Sequence, residues 1–323
     1  MTKFAAVDCG TNSIRLLISE VHNGVATDVC RLMEIVRLGK GVDGTGELAP
    51  ESIERARLAL ARYVELMKEH GVQAVRMVAT SATRDARNKD DFFAMTGSLL
   101  GQISPGARAE VISGEEEASL SFRGAVSDLE GESGPFCVID LGGGSTEFIV
   151  GESGGEIYGS HSAQMGCVRL TERIMRADPP TDTEIEIARD YVTERIEQVE
   201  KIVPIEKAST FVGCAGTFTT LAAMALGLES YDPGAIHDAR LRLDALQVIT
   251  AQLIAETAAQ RAAHPVMHPG RADVIAGGSV VVDGVLDMLR RKAVVDRIVI
   301  SEKDILDGII AGLAEAHEQA PPV

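Results

Sequence analysis

Two turns in the chain combine an aspartate with glycines at the end of an apolar strand. They are Asp8-Cys9-Gly10-Thr11-Asn12-Ser13 after FAAV and Asp140-Leu141-Gly142-Gly143-Gly144-Ser145 after FCVI. A carboxylate in such a turn can meet a divalent cation, and the glycines let backbone N–H groups face an anion. One such turn mostly serves backbone geometry. Two in matching positions, with a third at Gly213-Cys214-Ala215-Gly216-Thr217, can converge on a chain of phosphates. Between them lies an acidic run, Glu115-Glu116-Glu117, at a strand-to-helix junction. Acids are favoured at helix starts by the dipole alone. A carboxylate that deprotonates water is the chemical alternative, and the run does not say which glutamate it would be.

The elements that must hold these turns follow from periodicity. FAAVDCG, IRLLISEV and VATDVCRLMEIVRL read as three strands, and Pro50 opens an amphipathic helix closed by Gly71. VQAVRMVATS and RAEVISG read as strands, the segment around DDFFAMTGSLLGQI as a helix, and EEEASLSFRGAV as another. At residue 134 the pattern restarts, with Asp140 lying 132 residues after Asp8 and the flanking strands agreeing, which points to an internal duplication. A polar helix from Thr181, the strand ASTFVGC, an apolar helix through Gly277-Gly278-Ser279, the strand DRIVIS and a terminal helix complete the second half. The tail QAPPV is expected to fray. Alternating strands and helices predict an α/β fold of two lobes, 1–125 and 126–301, with the terminal helix of about 302–318 returning to the first. The polar, Gly-rich stretch over 124–134 marks the boundary.

Composition narrows the function. Apolar residues make up 45% and charged residues 24%, as in ordinary globular proteins. The net charge is −17; residues 1–125 hold 15 Lys and Arg against 17 Asp and Glu, while the remainder hold 16 against 31. A duplex nucleic-acid binder would carry a basic face, so that class falls away. A polyanion would have to meet local basic groups, for which the near-neutral first part is better suited. Arg290-Arg291-Lys292, with Arg297, reads either as helix-end cations or as a guide for such a polyanion. Five scattered cysteines without CxxC spacing argue against structural zinc and for reduced thiols in the cytoplasm. MTKFAAVDCG has no signal-peptide pattern, and no apolar run approaches the roughly 20 residues that cross a bilayer.

AAVDCGTNSIRLLI, VATSATRDARN, VISGEEEASL, VIDLGGGSTEFIVG and QMGCVRLTE together resemble the exopolyphosphatase / guanosine pentaphosphate phosphohydrolase family, in order from about residue 4 to 310. The resemblance implies duplicated actin-like (ribonuclease H-like) lobes with a central interdomain cleft. It also implies Mg²⁺, or Mn²⁺ in its place, as the cofactor. By the same resemblance Glu117 is the general base, Arg84 a phosphate-contacting catalytic group, and Asp140 and Glu147 the metal carboxylates, with Asp8 as an outer or direct ligand. From the residues alone, Glu147 is equally a solvent-facing strand position. Asn12, Ser13, Gly142, Gly143, Gly144 and Ser145 are expected to cradle the terminal phosphate, and Cys167 to offer a backbone contact there. Gly216 and Thr217 bind substrate phosphate on this reading, or, like Gly277 and Gly278, serve as inherited scaffold. Ser301-Glu302-Lys303-Asp304 departs from the sequence seen in longer relatives. The chain resembles the short form, so an extended polyphosphate channel is absent or comes from a second subunit, and a homodimer stays open on that account.

The expected activity is an exopolyphosphatase acting on linear inorganic polyphosphate. The alternative substrate is guanosine pentaphosphate (pppGpp); with 4% aromatics and no Trp, the chain offers little to stack on a guanine. An ATP-dependent small-molecule kinase and a non-catalytic polyphosphate or alarmone sensor rank below, because neither needs a water-activating glutamate.

Overall fold

The computed structural model describes residues 2–129, 131–154 and 156–319. The part of the expected frayed tail beyond Gln319 lies outside them. By contacts the chain divides into two compact units, residues 1–124 with 305–323, and 125–304.

The first unit begins with β1 (Thr2–Cys9), β2 (Ser13–His22) and β3 (Val25–Ile35), a continuous antiparallel meander. Helix α1 (Val42–Thr45) is a single turn, and α2 (Pro50–Glu69) is the long helix that Pro50 starts. After it come β4 (Ala74–Ala79), α3 (Ser81–Asp85), α4 (Lys89–Leu100), β5 (Ala109–Val111) and α5 (Gly114–Ala125). The sheet runs β3-β2-β1-β4-β5, with β4 and β5 parallel to β1. One apolar cluster gathers Val7, Leu16, Leu60, Tyr63, Met77 and Phe92. A second gathers Phe4, Ala6, Leu17, Val78 and Ile112 around a helix from the far end of the chain, described below.

The second unit repeats the plan. Its strands and helices are β6 (Phe136–Leu141), β7 (Thr146–Gly151), β8 (Ile157–Ala163), α6 (Cys167–Arg173), α7 (Asp182–Ile202), β9 (Thr210–Cys214) and α8 (Ala215–Ala225). Then come α9 (Pro233–Ile236), β10 (Ala239–Arg242), α10 (Leu243–Ala255), α11 (Ala258–Ala262), α12 (Ile275–Lys292) and β11 (Arg297–Ile300). The chain closes with α13 (Ile305–Gln319), which belongs to the first unit and starts three residues later than the expected 302. The second sheet runs β10-β11-β9-β6-β7-β8. Read from β8, it is the first sheet's order and polarity with β10 added: two antiparallel neighbours on one side of the founding strand, parallel ones on the other. The duplication therefore extends from two turns to a whole topology. Helix α7 starts on a capping box, Thr181 with Glu184, which fixes where the polar helix begins.

Candidate active site

In each unit the Asp–Gly turn is a hairpin corner closed by one backbone bond. Gly10 N donates to Ser13 O at 3.0 Å, and Gly142 N donates to Ser145 O at 3.0 Å. These bonds set the register, so each aspartate sits across from a fixed partner: Asp8 opposite Arg15, and Asp140 opposite Glu147. Directly opposite residues of an antiparallel pair share a face of the sheet. The two units thus differ in charge at one equivalent position. In the first, Arg15 donates from Nη2 (2.7 Å) and Nε (3.1 Å) to Asp8 Oδ2, an ion pair that neutralises the carboxylate. In the second, two carboxylates face one another, both buried. Glu147, 1% exposed, is not the solvent-facing strand residue that its neighbours allowed. Ser162 Oγ on β8 donates to Glu147 Oε1 at 2.7 Å and orients it.

The amide of Gly142 is engaged in closing its turn, so of the expected cradle Gly143, Gly144 and Ser145 keep amides without an acceptor among the described residues. The carbonyls of the same loop hold α6: Cys167 N donates to Gly142 O, Val168 N to Gly143 O, and Arg169 Nε to Gly144 O. The contact is close. A β-carbon on Gly166 would fall 2.2 Å from the Gly143 carbonyl carbon, so only glycine lets α6 begin against this loop. The N–H of Cys167, from which a backbone contact to phosphate is expected, donates to Gly142 O at 3.1 Å. Its thiol is pushed up to about 11, chiefly by burial and against the pull of Arg271. It is therefore a neutral packing group at ordinary pH.

In the first unit Asn12 O accepts from Val36 N and Arg37 N, and Thr11 O from Gly39 N, so the loop after β3 braces the turn that carries Asn12 and Ser13. The segment Thr80–Arg84, after β4, lies beside the same turn: a β-carbon on Gly39 would meet both Thr11 and Ala82. Arg84 Nη1 donates to Glu117 Oε2 at 2.9 Å and to Ile112 O at 2.8 Å. The three consecutive glutamates separate cleanly. Glu115 and Glu116 are exposed, with Glu116 bound by Arg76, whereas Glu117 is 9% exposed and turned to Arg84. Three buried polar atoms, Thr11 Oγ1, Thr83 Oγ1 and Arg84 Nη2, have no partner among the described residues.

The third glycine turn is less open. Gly216 is covered by the Arg271 guanidinium, 2.4 Å from where a β-carbon would stand, and Arg271 Nη1 donates to Thr220 Oγ1 at 3.1 Å. Thr217 is buried against Gly278, and Gly277 faces the Cys167 carbonyl. Gly277 and Gly278 lie inside α12, where they allow close approach of α6 and α8 rather than a strand-to-helix turn. Ser301-Glu302-Lys303-Asp304 is a structural joint: Ser301 N donates to Gly213 O, Tyr231 bonds Glu302, and Lys303 pairs with Asp128 at 2.5 Å. The basic run at the end of α12 is neutralised locally, Arg290 by Asp287 and Asp244 and both Arg291 and Lys292 by Glu200, which leaves it ill-suited to guide a polyanion. Sequence reasoning missed Arg15, Arg271, Ser162 and Gly166. The first was within reach, because a hairpin closed at Gly10 and Ser13 necessarily pairs 8 with 15.

The model of the Ppx/GppA phosphatase family matches residues 17–316. The chain belongs to that family. It is 54% identical over 318 residues to Exopolyphosphatase 2 of Mycobacterium tuberculosis (strain ATCC 25618 / H37Rv), covering 97% of this chain and 99% of that protein. Among solved structures it resembles an exopolyphosphatase-like protein at 38% identity and TM-score 0.92, covering 98% of this chain and 99% of that one. It also resembles the Aquifex aeolicus Ppx/GppA family member at 28% identity and TM-score 0.80, covering 99% of both. The fold is the actin-like α/β one of this family, and the chain is a phosphatase, hence a hydrolase. No helix among the described residues is long and apolar enough to cross a membrane.

Proposed function

We propose that this phosphatase is an exopolyphosphatase that releases terminal orthophosphate from linear inorganic polyphosphate. Two supports carry the reading: the near-full-length similarity to Exopolyphosphatase 2, and the buried Glu117 bound to Arg84, whose Nη2 has no partner among the described residues. Glu117 takes a proton from water as the water oxygen bonds to the terminal phosphorus. The bridging P–O bond breaks, and its electron pair leaves with the shortened chain. Within the first unit, Asn12 and Ser13 bind phosphate oxygens and Arg84 offsets their charge; in the second, the amides of Gly143, Gly144 and Ser145 suit an anion by themselves. Glu117 needs to remain ionised until it accepts that proton.

The facing, buried Asp140 and Glu147 fit a divalent cation by their chemistry, two hard oxygen donors directly opposite one another on one hairpin. Mg²⁺ commonly takes one or two carboxylates and fills its shell with water and phosphate oxygens. Bound there, it would supply charge neutralisation on the substrate's oxygens. The free cysteines suit a reducing cytoplasm.

Phosphate release from long polyphosphate, tripolyphosphate and pppGpp, measured side by side on wild type and Glu117→Gln, tests the reading. Long polyphosphate should turn over fastest, and the variant should lose about 10²–10⁴-fold in kcat. Preference for pppGpp would move the substrate assignment, and a variant within a few-fold of wild type would remove Glu117 from the mechanism.

A further inference from the structure

We infer that Arg84 acts as a two-pronged bridge: one guanidinium nitrogen, Nη1, holds Glu117 while the other, Nη2, takes an oxygen of the terminal phosphate. The inference rests on the exopolyphosphatase reading and deepens it by giving the distance between base and phosphate a structural cause. Nη1 is committed, with Glu117 Oε2 at 2.9 Å and Ile112 O at 2.8 Å. Nη2, on the same planar carbon, is buried and has no partner among the described residues. A buried guanidinium N–H without an acceptor is uncommon, and it points to an anion that arrives with the substrate.

The surroundings agree. Thr83 Oγ1, one residue earlier in α3, and Thr11 Oγ1, on the turn that Gly39 brings beside Ala82, are likewise buried without partners among the described residues. The base of the bridge is rigid. Arg84 N donates to Thr80 O at 3.0 Å, and the Ile112 carbonyl at the end of the β5 segment holds Nη1 in line. Glu117 N donates to Ser113 O at 2.9 Å, so the carboxylate's own backbone is anchored one helical turn back. The nearby acids Glu110 and Glu116 are drawn to Arg76 and do not compete for Arg84. A planar fork bonded at both ends fixes the angle and separation of its two ligands, whereas an ammonium fixes neither. Arg84 is thus a positioning residue for Glu117 as well as a phosphate contact: it sets the gap in which the attacking water sits.

The test is a double-mutant cycle on the full chain with Mg²⁺ and medium-length polyphosphate. Arg84→Lys keeps the charge, so KM should move only a few-fold while kcat falls by about a hundredfold, the usual effect of misplacing a reacting group. In a Glu117→Gln background the same change should cost less than about threefold, because nothing is left to aim. Arg84→Ala should be rescued by added guanidinium and not by ammonium. Multiplicative losses in the cycle, or a Lys variant with normal kcat and raised KM, would reduce Arg84 to a phosphate contact and overturn the bridge. A near-normal Glu117→Gln would instead sink the reading beneath it, which keeps the two failures apart. Should Arg84 variants unfold, ¹⁵N spectra of the wild-type guanidinium groups decide: inorganic phosphate should shift the Arg84 Nη signals, and unchanged signals would refute the proposal.

Discussion

At the residue scale, the position opposite the turn aspartate decides what each half of the molecule can hold. Asp8 faces the cation of Arg15 across its hairpin, whereas Asp140 faces a second carboxylate, Glu147. Ser162, as the donor that orients Glu147, should matter through the cation. Ser162→Ala is expected to raise the Mg²⁺ needed for half-maximal activity by about 10–100-fold, the range for lost outer-shell partners, with little loss at saturating Mg²⁺. A Mg²⁺ titration of phosphate release reads this directly. Cys167 makes the opposite kind of prediction. Burial raises its thiol to about 11, so it stays protonated and unreactive well above neutrality. Iodoacetamide at pH 8 should leave it unlabelled by peptide mass mapping, while the part-exposed Cys30 reacts faster.

At the element scale, glycine marks where two pieces of backbone must nearly touch. A β-carbon on Gly308 of α13 would lie 2.1 Å from Leu120 O of α5, whereas Gly312, one turn on, faces open space. Gly308→Ala should lower stability by about 1–3 kcal/mol through forced displacement of α13. Gly312→Ala should raise it by up to about 1 kcal/mol through helix propensity. Thermal unfolding of both variants measures the contrast. The same geometry explains what the sequence could and could not say. The hairpin turns, α2 from Pro50 and the duplicated strand order were legible, because glycine, proline and alternating apolar residues act locally. Which glutamate turns inward was not, because Glu115, Glu116 and Glu117 differ only in the neighbours that α5 meets, Arg76 on one side and Arg84 on the other. The segment holding β10 and α10 carried no chemical motif and went unread. The glycines of α12 fall in a segment that reads as a helix, yet the helix contact they serve is revealed only by tertiary packing.

At the scale of the whole molecule, each unit is fastened at its ends. In the second, Asp128 near its start meets His237 at 3.2 Å and Lys303 near its end at 2.5 Å. These two, His237 first, hold the Asp128 carboxyl at about 2, below its ordinary value of 3.8. A lowered folded-state value stabilises above the unfolded one and loses that contribution as pH falls from about 4 through 2. Because the group is half exposed, screening leaves a contribution on the order of 1 kcal/mol. Asp128→Asn should therefore lower stability at pH 6 and cost nothing near pH 2, which urea unfolding at the two pH values would show. In the first unit, α13 seals the Phe4, Leu17 and Ile112 cluster with Ile305, Leu306, Ile309 and Ile310. Each such side chain contributes about 1.5–3 kcal/mol on burial.

That last helix reverses the usual relation between order of synthesis and order of completion. The unit that leaves the ribosome first lacks its final wall until residues 305–319 have followed, while the unit made second is continuous in sequence over 125–304 and can close before it. A nascent chain would then hold an unsealed first half throughout the making of its second. Its tolerance of pauses, tags or proteolysis should be governed by residues 305–319.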